Sequence, residues 1–170
     1  MPWVELGQIY ECWVWDGQNL GPELISVIGN HEDGRGNDEV LALHWPMQDL
    51  SIPTIPSGIG AVFANLKGVE LRFRIESVSA DDFIQFPHLE VIHLERNRIA
   101  SLDGNLFTHT PNIRFMTFDQ NQLQVIGNEL MDGLHQLRVA RFLSNPCIDF
   151  AAFSEAQIPE LKIRFENCAL

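Results

Sequence analysis

The feature that most constrains this chain is a motif that returns every 24 residues. The motif reads apolar-x-x-apolar-x-apolar-x-x-Asn, and it begins at Leu89, at Ile113 and again at Leu137. Less regular copies begin at Leu66 and at Val40. A fixed return of several residue types together predicts structural repeats that stack on one another, because one repeat cannot bury its apolar face alone.

Each part of the motif has a physical role. The apolar-x-apolar segment alternates as a strand does, so its apolar side chains point into one core. Asn97, Asn121 and Asn145 stand where the chain must turn. A side-chain amide there can bond the backbone groups that a turn leaves unpaired. The large apolar residues late in each unit, which fill the convex side, are Phe83, Phe107 and Met131.

This pattern predicts an α/β solenoid with a parallel concave sheet and a mostly irregular convex side. We expect a single domain spanning residues 1–170. In this prediction residues 40–145 form the repeats, residues 1–39 form the N-terminal cap and residues 146–170 form the C-terminal cap.

The two caps have different local patterns. Segments 9–15 and 24–28 are dense in β-branched and aromatic residues, so we expect a β-hairpin or a short sheet over the first coil. In the C-terminal cap we expect a helical turn within residues 150–156 and a final strand at residues 161–165.

Charge and composition exclude several functional classes. The chain carries 11 Lys and Arg against 23 Asp and Glu, a formal net charge of −12. Such a field repels a phosphate backbone, so nucleic acid is not expected as a partner. No stretch approaches the roughly 18 continuous apolar residues of a membrane helix, so membrane insertion is not expected either. The opening residues lack the basic and apolar regions of a signal peptide, although a mature secreted domain would look the same.

The cysteines fall at opposite ends of the predicted stack. Cys147 and Cys168 both lie in the C-terminal cap, and a disulfide between them would close a loop of roughly 20 residues and stabilise the fold by about 3 kcal/mol. Cys12 lies in the other cap, roughly 20–25 Å away at the strand spacing of a sheet. It therefore cannot reach either of them. Three interpretations of Cys12 stay open: a buried free thiol, an intermolecular bridge, or a lost partner cysteine upstream.

The segment Leu89–Asn145 resembles the 24-residue class of leucine-rich repeats found in extracellular receptors and secreted proteins. The run Phe142–Asp149, with Cys168 beyond it, resembles the end of secreted leucine-rich-repeat proteins of arthropods. The resemblance covers roughly residues 9–168 and implies a short leucine-rich-repeat domain that is secreted or extracellular. Two features depart from the family pattern: the chain lacks the first cysteine expected beside the opening strand, and it has no Asn-x-Ser/Thr sequence.

The resemblance also implies that the modules bind proteins, some in innate immunity and others as receptors or in adhesion. In a solenoid of this kind the variable strand positions face outward on the concave side. They form three columns here, of which the first contains an apolar strip, Val91, Phe115 and Val139, and Phe115 and Arg141 are the expected anchors. The full set of candidate binding residues is Val91, His93, Glu95, Phe115, Thr117, Asp119, Val139 and Arg141. The alternative interpretation is that these residues are ordinary surface.

No catalytic motif is present in the sequence, which has no P-loop, Gly-x-Ser-x-Gly or Cys-x-x-Cys. His44 and His93 share a column but are expected roughly 10 Å apart, too far for one zinc ion. We therefore expect no enzyme activity, no cofactor and no metal. Two functions remain: a binding module for a protein partner, and a self-associating structural or adhesion protein that forms a homodimer through Cys12 or the N-terminal cap.

Overall fold

The structure is a computed structural model, and it describes residues 6–7, 9–14, 31, 34–46, 51–72 and 74–168. Within these residues, seven strands form one sheet in the order β1-β2-β3-β4-β6-β8-β9. These strands are β1 (Glu11–Trp13), β2 (Ala42–Trp45), β3 (Gly68–Leu71), β4 (Val91–His93), β6 (Phe115–Thr117), β8 (Val139–Arg141) and β9 (Ala151–Ala152). A smaller sheet pairs β5 (Ser101–Leu102) with β7 (Val125–Ile126). The described α-helices are α1 (Ile59–Val62) and α2 (Ile158–Arg164), and short 3-10 turns occur at Asn37–Glu39, Ala80–Phe83, Glu155–Gln157 and Phe165–Cys168.

The register of the large sheet follows the repeat. Strands β1 to β8 of this sheet pair in parallel, and Val69, Ile92 and Met116 lie opposite one another. Each strand is thus the same part of successive coils, and the predicted parallel stack is confirmed. Only β9 is antiparallel, so the last coil ends by folding back on β8.

The inward-facing side chains form one continuous core along the stack. Its centre is a row of phenylalanines: Phe107, Phe118, Phe142 and Phe165 follow one another with ring centroids 6.3, 5.6 and 5.3 Å apart. All four are buried. Burying one such side chain stabilises the folded state by about 1.5–3 kcal/mol. Because each ring packs against the ring of the adjacent coil, each coil is stabilised mainly by its neighbours.

The motif asparagines form a hydrogen-bonded ladder along the edge where the strands end. Asn121 is buried, its Oδ1 accepts from the Ile99 amide at 3.1 Å, and its Nδ2 donates to the carbonyls of Leu94 and Phe118 at 2.9 and 3.0 Å. Asn97 and Asn145 make the same three contacts in their own coils. One amide thus binds backbone groups of two coils, and this is why the asparagine recurs.

The residue before each ladder asparagine has a left-handed backbone. Arg96, Gln120 and Ser144 have φ angles of 60°, 56° and 58°. This conformation costs a non-glycine residue about 1–2 kcal/mol, and it turns the chain sharply enough to aim the following amide at the coil before it. Arg74 also has a positive φ, 63°, so the irregular coil makes a similar turn without a ladder asparagine.

The N-terminal cap is described only in part. Strand β1 extends the sheet in parallel with β2, so Cys12 lies opposite Leu43 in the inward-facing column. The expected second cap strand at residues 24–28 and the end of the first repeat at residues 47–50 lie outside the described residues.

The C-terminal cap corrects one expectation. Residues 161–165 are helical, in α2 and the 3-10 turn after it, and do not form the expected strand. Leu161, Phe165 and Cys168 are buried at helical spacing, whereas Ile163, which alternates with them in sequence, is 64% exposed. Pro159 in the first turn also favours a helix start. The expected helical turn at 150–156 is divided between β9 and a 3-10 turn at Glu155–Gln157.

Candidate protein-binding face

The outward-facing residues of the large sheet form the concave face. Register places Ala42, Gly68, Val91, Phe115 and Val139 in one column, which we call the apolar column. The adjacent column, which we call the polar column, contains Trp13, His44, Glu70, His93, Thr117 and Arg141. Apart from Trp13, these are the columns expected from the sequence.

The apolar column is not uniformly exposed. Val91 is fully buried, which corrects the expectation that it belongs to an exposed strip. It forms a small cluster with Ala42, and Phe115 of the same column and Leu6 and Ile9 of the N-terminal segment pack against this cluster. Phe115 and Val139 remain partly exposed further along the column.

Glu11, His44 and Glu70 connect the polar column across β1, β2 and β3. His44 is fully buried; its Nδ1 lies 2.7 Å from Glu70 Oε2 and its Nε2 lies 3.0 Å from Glu11 Oε2. The two ring nitrogens of His44 thus contact carboxylates on both neighbouring strands. The Trp13 ring stacks on His44 with centroids 3.9 Å apart and an interplanar angle of 9°. These contacts fix β1 to the sheet.

Glu70 is the central charged residue in the half of the face that β1, β2 and β3 form. Burial pushes the pKa of Glu70 upward, but the hydrogen bond with His44 and the positive charge of Arg72 outweigh it, so its pKa lies below the ordinary value. Arg72 Nη2 lies 2.5 Å from both Glu70 Oε1 and Glu95 Oε1. The Arg72–Glu95 contact joins neighbouring coils and continues the polar network.

The other half of the face contains most of the candidate binding residues. Thr117 and Asp119 are buried. This corrects the expectation that their side chains contact a partner directly. Asp119 Oδ2 pairs with Arg141 Nη2 at 2.5 Å, and its Oδ1 accepts from the Leu143 amide at 2.8 Å. Thr117 Oγ1 lies 3.2 Å from His93 Nδ1. Both buried residues thus support accessible neighbours. The candidate residues that remain partly exposed are His93, Glu95, Phe115, Val139 and Arg141.

Trp13 lies on the concave face, although the repeat motif does not extend to it. Trp13 is 45% exposed, and its register with His44 extends the polar column by one strand. The alternation of Glu11 and Trp13 within β1 could have placed both on the concave face. The sequence pattern of this segment fits a strand of the sheet and a strand of a separate hairpin equally well.

A second concave feature lies beside the face, where the strands begin. It is an open groove of about 660 Å³, lined among others by Asn65, Lys67, His88, Glu90, Arg114 and Arg138. Burial pushes the pKa of Glu90 upward, but hydrogen bonds from Lys67 and Arg114 lower it below the ordinary value. These charges largely neutralise one another within the groove wall.

The cysteines occupy structural positions. Cys147 and Cys168 form a disulfide that ties the end of the C-terminal cap to the last coil. Cys12 is free and half-buried against the core, and burial raises the pKa of its thiol. The packing of Cys12 against the core favours the interpretation of a packed thiol, and the raised pKa disfavours the thiolate that disulfide exchange needs.

A metal site and a membrane-spanning helix each require a particular arrangement of residues. Among the residues that the structure describes, no three His, Cys, Asp or Glu side chains are gathered in a way that could hold a metal ion. Within the same residues, no helix has both the length and the apolar character needed to span a bilayer.

Comparison with known proteins supports the fold. The sequence model of the leucine-rich-repeat family matches residues 72–139. Osteomodulin of Bos taurus is 36% identical over 77 residues, which cover 44% of this chain and 17% of that protein. Osteomodulin of Rattus norvegicus is 32% identical over 90 residues, which cover 51% of this chain and 20% of that protein. The matches thus span a fifth or less of these relatives.

Solved structures agree. A chain of the Drosophila Toll–Spatzle complex superposes with a TM-score of 0.58 at 19% identity, covering 64% of this chain and 14% of that chain. The similarity in shape at low identity shows a shared fold. The predicted short leucine-rich-repeat solenoid is therefore confirmed.

Proposed function

We propose that this leucine-rich-repeat domain is a non-catalytic module that recognises a protein partner through the C-terminal half of its concave face. One observation carries the proposal: Phe115, Val139 and Arg141 are adjacent on β6 and β8, and all three are partly exposed. Aromatic and arginine side chains flanked by apolar surface are the residues that most often dominate protein interfaces.

The rigidity of this patch supports the proposal. Asp119 has a side chain only 7% exposed, and it holds Arg141 while also accepting a backbone hydrogen bond. A side chain that is already ordered loses less conformational freedom on binding, so a partner gains more affinity from it. His93 is held in a similar way by Thr117.

An extracellular setting is part of the proposal. The Cys147–Cys168 disulfide favours an oxidising compartment. The structural neighbour belongs to a complex described as a molecular hub in Drosophila development and innate immunity. Immune or receptor-type recognition is accordingly the setting that we propose for this chain.

The test compares two substitutions that add the same charge. Val139→Glu places a carboxylate in the patch, and it disrupts no side-chain hydrogen bond because Val139 has none to give. Gln122→Glu places one on an exposed side of the solenoid, away from the concave face. Each variant is immobilised and exposed to extracellular fluid from the source organism, and retained proteins are quantified by mass spectrometry.

The proposal predicts a protein that is retained by the wild type and by Gln122→Glu but lost with Val139→Glu. Thermal unfolding of both variants shows whether the loss reflects the surface or the fold. Equal retention by two equally folded variants would contradict binding through this half of the face.

A further inference from the structure

We propose that Leu6, Gly7, Ile9 and Tyr10 form a strap that occupies part of the concave face and that the partner displaces it. The partner segment that fits is a short turn that carries two apolar side chains three residues apart on one side, as Leu6 and Ile9 are in this chain. This inference rests on the proposed function, and it adds the chemistry of the partner segment and a way of controlling access.

The first evidence is a burial pattern that the repeats themselves do not explain. Ala42 and Val91 face away from the core, in the apolar column, yet each is 0% exposed. Side chains on the outer surface of a sheet become buried only when another part of the chain covers them. The side chains that pack against them are Leu6 and Ile9 of the N-terminal segment and Phe115 of β6, and the first two come from outside the sheet.

The second evidence is the path of the chain. The Tyr10 carbonyl accepts from the amides of Leu41 and Ala42, at 2.9 and 3.4 Å, so the strap is tied to the sheet edge at residue 10. Val91 lies two strands beyond Ala42, about 10 Å away at the usual strand spacing. Leu6 and Ile9 pack against the cluster that Ala42 and Val91 form, so the strap covers this part of the face from its attachment at residue 10.

The strap can leave without unfolding the sheet. Among the described residues, the backbone hydrogen bonds that tie the strap to the sheet begin at Tyr10. Leu6 and Ile9 are only partly buried, and Gly7 between them has a φ of 76° and no atom near the place where a Cβ would stand. By contrast, β1 is held by the contacts of Glu11 and Trp13 with His44. Release of the strap would therefore stop at β1.

The part of the apolar column that lies under the strap, which we call the floor, would suit a partner segment of the same kind. Removal of the strap uncovers Ala42, Gly68 and Val91, which continue the apolar column into Phe115 and Val139. Alanine and glycine leave room above this part of the floor, so it accepts the two apolar side chains of such a turn. The patch of the proposed function and the floor under the strap are then one continuous groove.

The test uses the full chain with the strap released. Leu6→Asp combined with Ile9→Asp places two charges on the apolar floor and should detach the strap. The control adds two aspartates on an exposed flank, Gln122→Asp with Gln124→Asp. The probe is a labelled synthetic peptide with the sequence of residues 4–10, and binding is measured by fluorescence anisotropy.

We expect the peptide to bind the released variant about ten-fold or more tightly than it binds the wild type or the control, because the intact strap competes for the same floor. A peptide with serine in place of the leucine and isoleucine should not bind. If the aspartate variant fails to fold, Leu6→Ala with Ile9→Ala removes the apolar contacts without adding charge and decides the question. No peptide binding to a folded released variant, or equal binding to the wild type, would overturn the inference.

Partner capture separates this inference from the proposed function. The released variant should retain more of the partner than the wild type. If capture is lost with Val139→Glu but unchanged in the released variant, the face binds a partner and the strap inference is wrong. If Val139→Glu also leaves capture unchanged while the peptide binds as expected, the strap is real and the proposed function is wrong.

Discussion

Replacing Asn121 with alanine tests the physical basis of the stack, and the structure gives the size of the effect. The substitution removes the three ladder hydrogen bonds and a longer one, at 3.4 Å, from Nδ2 to the Asp119 carbonyl. The carbonyls of Leu94 and Phe118 keep another asparagine as donor, so each loses about 0.5–1 kcal/mol. The Ile99 amide loses its acceptor in a buried site, which costs about 1–3 kcal/mol. We therefore expect Asn121→Ala to lower the free energy of unfolding by about 2–5 kcal/mol.

The matched control is Asn128→Ala, an exposed asparagine in a turn of the same coil. It should change the free energy of unfolding by less than about 0.5 kcal/mol. Both are measured by equilibrium denaturation in urea with intrinsic tryptophan fluorescence and circular dichroism as probes, and coincident curves test two-state unfolding. Equal effects of the two substitutions would refute the claim that the ladder stabilises the stack.

Three further predictions follow from particular residues. Gln120→Gly should raise the free energy of unfolding by up to about 1 kcal/mol because it relieves a left-handed backbone, whereas Gln122→Gly should lower it; a loss with Gln120→Gly in thermal unfolding would contradict this. The lowered pKa of Glu70 means that its contribution to stability is present above the unfolded pKa of about 4.3 and is lost as pH falls through the lower folded value. Denaturation below that pH should therefore show a steeper loss of stability for the wild type than for Glu70→Gln, and parallel curves would exclude this linkage. Replacing Cys147 and Cys168 with serine should cost about 3 kcal/mol in urea denaturation, and an unchanged midpoint would be inconsistent with a stabilising bridge.

The repeat made the sheet predictable from sequence. A fixed 24-residue spacing fixes which residues face one another, so the columns through Ile92 and Met116 followed directly. The asparagine ladder was also predictable, because a buried amide at a turn needs backbone partners. The left-handed residues before the asparagines gave no such signal: Arg96, Gln120 and Ser144 share no side-chain chemistry.

The exposure of the concave face could not be read from the repeat. Val91 occupies an outward position, and the side chains packed against its cluster include Leu6 and Ile9, which are distant in sequence and outside the periodic region, as well as Phe115. Arg141 and Asp119 show a related effect: the columns placed both on the surface, but their ion pair buries one and orders the other. Contacts between periodic and non-periodic segments leave no spacing rule to detect.

Alternation misled the interpretation of the C-terminal cap. Leu161, Ile163 and Phe165 alternate with polar residues as a strand would, yet the buried positions follow a helix. The i, i+4 and i+7 spacing of Leu161, Phe165 and Cys168 matches one helical face. In a segment this short both periods fit, and packing of Leu161 and Phe165 under the last coil decides between them.

The claim that the C-terminal half of the concave face recognises a protein is tested most directly by site-specific photocrosslinking. A benzophenone amino acid replaces Val139 in one sample and Gln122 in another, and each is irradiated in extracellular fluid from the source organism. The account predicts a covalent adduct with one protein from position 139 and none from position 122. Adducts from position 122 alone would contradict it.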